Sequence, residues 1–145
     1  MCGIIGGFIP SVKRGVDSLS HRGPNARGEV KVGNISLGHT RLAIQDLDSR
    51  SDQPFRAGNT WTSYNGELWN YLEIKAELEG LGHTFITTGD TEVVAHALDE
   101  WGVNKGKQLL AEQEGVKKLF PDKEDHDRTI HTVADFHGAC FEPDP

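Results

Sequence analysis

The chemistry in this sequence begins at Cys2. Removal of Met1, the usual fate of a methionine ahead of a small second residue, would place a thiol and a free α-amine on one residue. The thiol titrates near a pKa of about 8.5 and the amine near about 7.7–8.0. An amine neutral near pH 7–8 accepts the thiol proton, directly or through a water, so the sulfur needs no histidine or aspartate to become a nucleophile. An early cysteine taken alone favours a plainer reading, a buried and inert thiol. The weight therefore falls on the residues around it.

Those residues need elements to hold them. Cys2 to Ile9 reads as a buried strand, apolar on both faces and too glycine-rich for a helix. Val12, Val16 and Leu19 fall at helical spacing, and Ser20 to Asn25 supplies turn chemistry. Asn34 to Ile44 is expected to form one or two strands, Gln45 to Gly58 a polar loop, and Thr60 to Tyr64 a further strand ending in an Asn65-Gly66 turn. Leu68, Tyr71, Leu72, Lys75, Leu78 and Leu81 suit a helix stopped by Gly82. Thr84 to Thr88 reads as a short strand. Asp90 or Thr91 caps the next helix, whose apolar face is Val93, Val94, Ala97, Leu98 and Trp101, with Gly102 as its stop. Strands and helices mix from end to end, which is an α+β pattern.

Beyond Gly102 the character changes. Lys105 to Leu119 has helical spacing, Pro121 to Arg128 is a charged loop, and Thr129 to Ala134 is a candidate strand. The reading divides the chain at residues 1–102 and 103–145, the second part being either a continuation of the same domain or an unstructured extension. His126, His131, His137 and Cys140 have zinc-ligating side chains, but their spacing matches no standard ligand pattern, so no metal is expected.

With 145 residues the chain has room for one domain with its own core. A formal net charge of −7 argues against nucleic acid or an anionic membrane as partner. Two cysteines do not make a secreted disulfide framework. The N-terminal apolar stretch lacks a basic leader, and no span is long enough to cross a membrane. A cytoplasmic location is the expectation.

Six blocks, taken together and in order, carry a family resemblance: Met1 to Gly6, His21 to Pro24, Leu37 to Ile44, Gln53-Pro54, Tyr64 to Tyr71 and Thr88 to Val93. They resemble the class II, N-terminal-nucleophile glutamine amidotransferases. Gln45-Asp46-Leu47 leading to Gln53-Pro54-Phe55, with Glu67 to Tyr71 after the Asn-Gly pair, is similar to the asparagine synthetase branch. The resemblance implies an Ntn-hydrolase-like αββα sandwich of two mainly antiparallel sheets.

It also implies roles. Cys2 is the nucleophile that forms a γ-glutamyl thioester; the Asn65 side chain and the Gly66 N–H form the oxyanion hole. Arg41, a natural clamp for a carboxylate, takes the α-carboxylate of glutamine, aided by backbone near Leu42 and Ile44. Glu67 and Asp90 receive the α-ammonium, although Asp90 also suits a helix cap. The loop holding His21 and Arg22 resembles the family's flexible loop, or is simply solvated. No cofactor is implied.

The resemblance stops near Gly102. Family members continue into a further apolar strand block and hairpin with no counterpart from Val103 to Pro145, so the sandwich is expected to be incomplete in its C-terminal part. No Ser-Gly-Gly-x-Asp-Ser loop for ATP occurs either. Ammonia from glutamine would go to an asparagine synthetase-like reaction on a separate, ATP-using chain. The alternatives are a catalytically inactive glutamine- or partner-binding relative and a non-functional truncated fragment.

Overall fold

The structure is a computed structural model in which the backbone of residues 2–111 and the side chains of residues 2–102 are described. Of the helix expected at Lys105 to Leu119, the described part is helical as far as Ala111, while its remainder, the candidate strand at Thr129 to Ala134 and the tail histidines lie outside those residues.

Strand β3 (Ile35–Arg41) is the centre of the N-terminal half, and all seven of its residues are buried. It pairs antiparallel with β1 (Gly3–Gly7) on one side and β2 (Ala26–Val32) on the other. Alternation along β3 sorts its side chains between two faces. Gly38 and Thr40 face helix α1 (Lys13–Ser18): the Thr40 hydroxyl donates to Leu19 O, and a Cβ on Gly38 would lie 2.3 Å from Val16 Cγ2. Leu37, His39 and Arg41 therefore point the opposite way, toward the second half of the chain.

That half holds a two-stranded hairpin, β4 (Phe55–Ala57) and β5 (Thr60–Thr62), followed by helices α2 (Tyr71–Gly80) and α3 (Asp90–Ala111). Ile74 and Leu78 of α2 pack with Val93, Val94 and Ala97 of α3, and with Tyr64 and Leu68 from the β5–α2 connection. Each such buried aliphatic contributes roughly 1.5–3 kcal/mol relative to exposure. The backbone of α3 breaks at Gly102, whose φ of 69° is the left-handed conformation that glycine tolerates, so the expected stop at this position is present.

Several expectations require correction. Cys2 to Ile9 is not a strand buried on both faces. β1 lies at the edge of its sheet among the described strands, only Gly3 in it is buried, and Phe8 beyond it is 80% exposed. Residues 26–32 form a strand that the apolar pattern does not signal, because its alternation of polar and half-buried positions carries only two valines. The loop expected from Gln45 to Gly58 contains both a 3-10 turn (Ser49–Ser51) and β4. Both unexpected strands precede a Gly-Asn pair, Gly33-Asn34 and Gly58-Asn59, with φ of 57° and 53° at the glycines. Glycine with positive φ at the first central position is what a tight hairpin turn requires.

Helix α2 is real but turned from its expected face. Ile74 and Leu78, one turn apart, meet α3, which leaves Leu72 and Leu81 exposed. Thr84 to Thr88 is not a strand. Its Ile86 and Thr87 amides donate to the Glu92 carboxylate at 2.9 and 2.6 Å, so an anion in the first turn of α3 organises the approach to the helix.

Candidate functional site

The two halves meet at a cleft of about 290 Å³. Cys2, Arg41, Leu42, Ile44, Asn65, Gly66, Glu67 and Asp90 all line it, so the eight residues singled out by sequence come together. They reach it from four places: the start of β1, the end of β3, the β5–α2 connection and the N-terminus of α3. His21 and Arg22 do not line the cleft.

Cys2 is half-buried and its thiol is free. Its sulfur accepts the Leu42 N–H at 3.3 Å, and its backbone nitrogen donates to Asn65 Oδ1 at 3.0 Å. Antiparallel pairing of Gly3 with Thr40 brings the strand start beside the residues that leave β3. The Gly3 N–H also donates to the Thr40 hydroxyl at 3.1 Å, fixing the backbone next to the thiol.

Gly66 follows Asn65 and lies over a tyrosine. A Cβ at Gly66 would sit 2.7 Å from the Tyr64 hydroxyl, so no larger residue fits without displacement. Gln53 ties this connection to α3: its side-chain oxygen accepts Tyr64 N–H at 2.6 Å and its nitrogen donates to Thr91 Oγ1 at 3.3 Å. Sequence reasoning gave Gln53 a place in a motif but no task. Its task is to hold the Asn65-Gly66 backbone against the helix start.

Arg41 is buried, and its four terminal N–H groups meet four acceptors. Nη1 reaches Asp48 O at 3.0 Å and Asp52 Oδ1 at 2.8 Å; Nη2 reaches Gln45 O at 3.1 Å and Asp46 O. The segment from Gln45 to Asp52 thus wraps the guanidinium. Asp46 anchors that segment from the other side, accepting the Thr88 N–H at 2.7 Å. This bond is the main reason its carboxyl is held down at a pKa of about 2. Asp46 has a φ of 44°, a left-handed conformation that aspartate tolerates better than most side chains. Its wrapping role was missed. The Asp46-x-Asp48 spacing is the signal, because each aspartate accepts a backbone N–H two residues on.

Glu67 is exposed at the cleft rim and accepts from Gln45 Nε2 at 2.9 Å. Asp90 is buried and accepts the Leu68 N–H at 2.9 Å. Burial, and then the charge of Glu67, push the Asp90 carboxyl above the usual carboxylate range. The same neighbourhood pushes the buried Tyr64 hydroxyl well above its ordinary value. The cleft lining therefore carries one guanidinium, one buried carboxyl at Asp90 and one exposed carboxylate at Glu67.

Among the described residues no group of three or more His, Cys, Asp or Glu is arranged to hold a metal ion, and no helix is long and apolar enough to cross a membrane.

The family model described as "Glutamine amidotransferase domain" matches residues 1–120. The chain belongs to the glutamine amidotransferase domain family. It is 37% identical over 114 residues to asparagine synthetase [glutamine-hydrolyzing] 3 of Bacillus subtilis, covering 70% of this chain and 18% of that protein. It is 30% identical over 153 residues to the glutamine–fructose-6-phosphate aminotransferase [isomerizing] of Helicobacter pylori, covering 82% and 26% respectively. It is 36% identical over 103 residues to the amidophosphoribosyltransferase of Methanothermobacter thermautotrophicus, covering 61% and 21%. The chain thus spans about a quarter or less of the length of these relatives. The matched residues 1–120 include every residue that lines the cleft. The α+β organisation with antiparallel sheets is compatible with that family.

Proposed function

We propose that this chain hydrolyses L-glutamine to glutamate and ammonia, with Cys2 as nucleophile. The observation that carries the reading is the cleft itself, whose lining brings together the Cys2 thiol, Arg41, Glu67 and Asp90. That charge pattern complements the α-carboxylate and α-ammonium of an amino acid and leaves the side chain to reach the sulfur.

In this mechanism the freed α-amine of Cys2 takes the thiol proton, and the thiolate attacks the side-chain amide carbon. Oxygen becomes anionic. The Asn65 side-chain N–H and the Gly66 backbone N–H stabilise it; the Asn65 oxygen, held by the Cys2 nitrogen, leaves its amide hydrogens for the cleft. The protonated amine gives its proton to the departing nitrogen, the C–N bond breaks, and ammonia leaves a γ-glutamyl thioester. Water, deprotonated by the same amine, attacks the thioester and regenerates the thiol. Arg41, whose terminal N–H groups are held by residues 45–52, supplies positive charge for the carboxylate end beside backbone at Leu42 and Ile44, while Glu67 and Asp90 orient the ammonium end.

The ammonia acceptor we propose is an asparagine synthetase-like, ATP-using reaction. A nucleophilic free thiol suits a reducing compartment, the cytoplasm. The two sheets, with α1 over one and α3 over the other, support the αββα sandwich of Ntn hydrolases as the parent architecture. The family model reaches residue 120, which supports a domain that continues past Gly102.

A diazoketone analogue of glutamine tests the site directly. Mass spectrometry of the treated chain, with loss of Met1 verified, should find one adduct on Cys2 that excess glutamine prevents. Labelling that glutamine does not slow, or that spreads equally to Cys140, would contradict the assignment.

A further inference from the structure

Gln45 lines the cleft and hydrogen-bonds two of its charged residues, Arg41 and Glu67. Its backbone oxygen accepts from Arg41 Nη2 at 3.1 Å, and its side-chain nitrogen donates to Glu67 Oε1 at 2.9 Å. The residue is exposed, so neither contact is needed to bury it. Arg41 has further acceptors in Asp48 and Asp52, whereas Gln45 is the side-chain partner that the structure gives the Glu67 carboxylate. A carboxamide N–H group thus sits where a ligand's cation would sit.

We propose that Gln45 is a specificity-determining residue, an internal stand-in that occupies Glu67 until a ligand brings an ammonium group to it. The inference rests on the glutamine-binding reading of the cleft given above. An ammonium displaces the amide because it brings a full opposite charge, as well as N–H donors, to the Glu67 carboxylate. A ligand without a cation has nothing to offer Glu67, so it meets the site with Gln45 in place. The segment from Asp46 to Asp52 stays pinned through Thr88 and Arg41 during the exchange, and only the Gln45 side chain needs to turn. The apparent affinity for glutamine is then reduced by the fraction of molecules in which Gln45 holds Glu67.

Calorimetric titration of the full chain carrying Cys2→Ala, which binds without turnover, tests this. Two ligands are compared: glutamine, and glutaramate, which is glutamine without its α-amino group. Adding Gln45→Ala should lower the Kd for glutamine by about threefold to tenfold, the net scale of one ordinary hydrogen bond, as suits an exposed contact. The Kd for glutaramate should change by less than about twofold, since that ligand does not use Glu67. Gln45→Leu, close to glutamine in size, serves if Gln45→Ala melts early. A glutamine Kd that is unchanged or raised overturns the role of Gln45, as does equal tightening for both ligands. Absence of glutamine binding in parent and variant alike overturns the glutamine reading, and the role of Gln45 with it.

Discussion

The backbone nitrogen of Cys2 donates to Asn65 Oδ1 at 3.0 Å, across 63 residues of sequence. That bond joins the start of β1 to the connection after β5, and it orients two groups at once. It directs the side chain of Asn65, and it fixes the nitrogen that becomes the α-amine once Met1 is removed. Truncation should expose both functions. Asn65→Ala is expected to lower kcat for glutamate release by about 10²–10³-fold, the cost of one oxyanion donor, with a smaller change in KM. Steady-state kinetics decide it, and a change confined to KM would assign Asn65 to ground-state binding instead.

Asp90 couples the site to the fold. Asp90→Asn keeps an oxygen for the Leu68 N–H, so the variant should fold while KM for glutamine rises by about tenfold or more. Asp90→Ala should also lose about 1–3 kcal/mol of stability, because the buried Leu68 N–H is left unpaired. Because the Asp90 carboxyl is raised, it protonates at a higher pH than an ordinary carboxylate. Glutamine affinity should therefore weaken with acidification earlier than a normal aspartate would dictate. Binding titrations across pH, compared with Asp90→Asn, read this out.

His39 sets a limit on acid stability. It is buried on β3 with Nδ1 at 2.8 Å from Ser63 Oγ and, among the described residues, no partner at Nε2, and burial, then the nearby Arg41 charge, lowers its pKa from 6.5 to about 4. The unfolded chain takes the proton first, so the stability held above pH 6.5 declines as pH falls toward 4. The loss from this one group approaches roughly 3 kcal/mol. Denaturant melts at several pH values should show the decline, and His39→Gln should flatten it. Equal slopes for the two proteins would remove His39 from the account.

Two glycines separate steric need from flexibility. A Cβ on Gly23 would lie 2.2 Å from Thr40 O and 2.5 Å from Arg41 N, so Gly23→Ala must push backbone away beside the site. A loss of about 1–3 kcal/mol is expected. Gly80, at the end of α2, has nothing within 4 Å of its Cβ direction, and Gly80→Ala should gain up to about 1 kcal/mol. Thermal melts of the pair check both signs.

What could be read ahead of the structure differs by physical cause. Helices α1 and α3, with buried Val12, Val16, Val93 and Val94, follow from apolar spacing, and the eight cleft residues follow from the ordered family blocks. The strands at Ala26–Val32 and Phe55–Ala57 were hidden because their stability comes from pairing with β3 and β5, a non-local property that short polar segments do not advertise. Thr84 to Thr88 has strand-like residues, yet its Ile86 and Thr87 amides are claimed by Glu92, so a side chain overrides β-propensity. The enclosure of Arg41 was equally invisible, since three of its four partners are carbonyl groups that every residue carries.

The central claim is that Cys2, once N-terminal, cleaves glutamine. Its most direct test is glutamate release from glutamine by purified chain whose intact mass shows Met1 removed, measured beside Cys2→Ala. Turnover is expected in the parent and its disappearance in the variant, with both proteins melting alike. A processed, cooperatively folded parent that releases no glutamate, or a Cys2→Ala protein that releases as much, would contradict it.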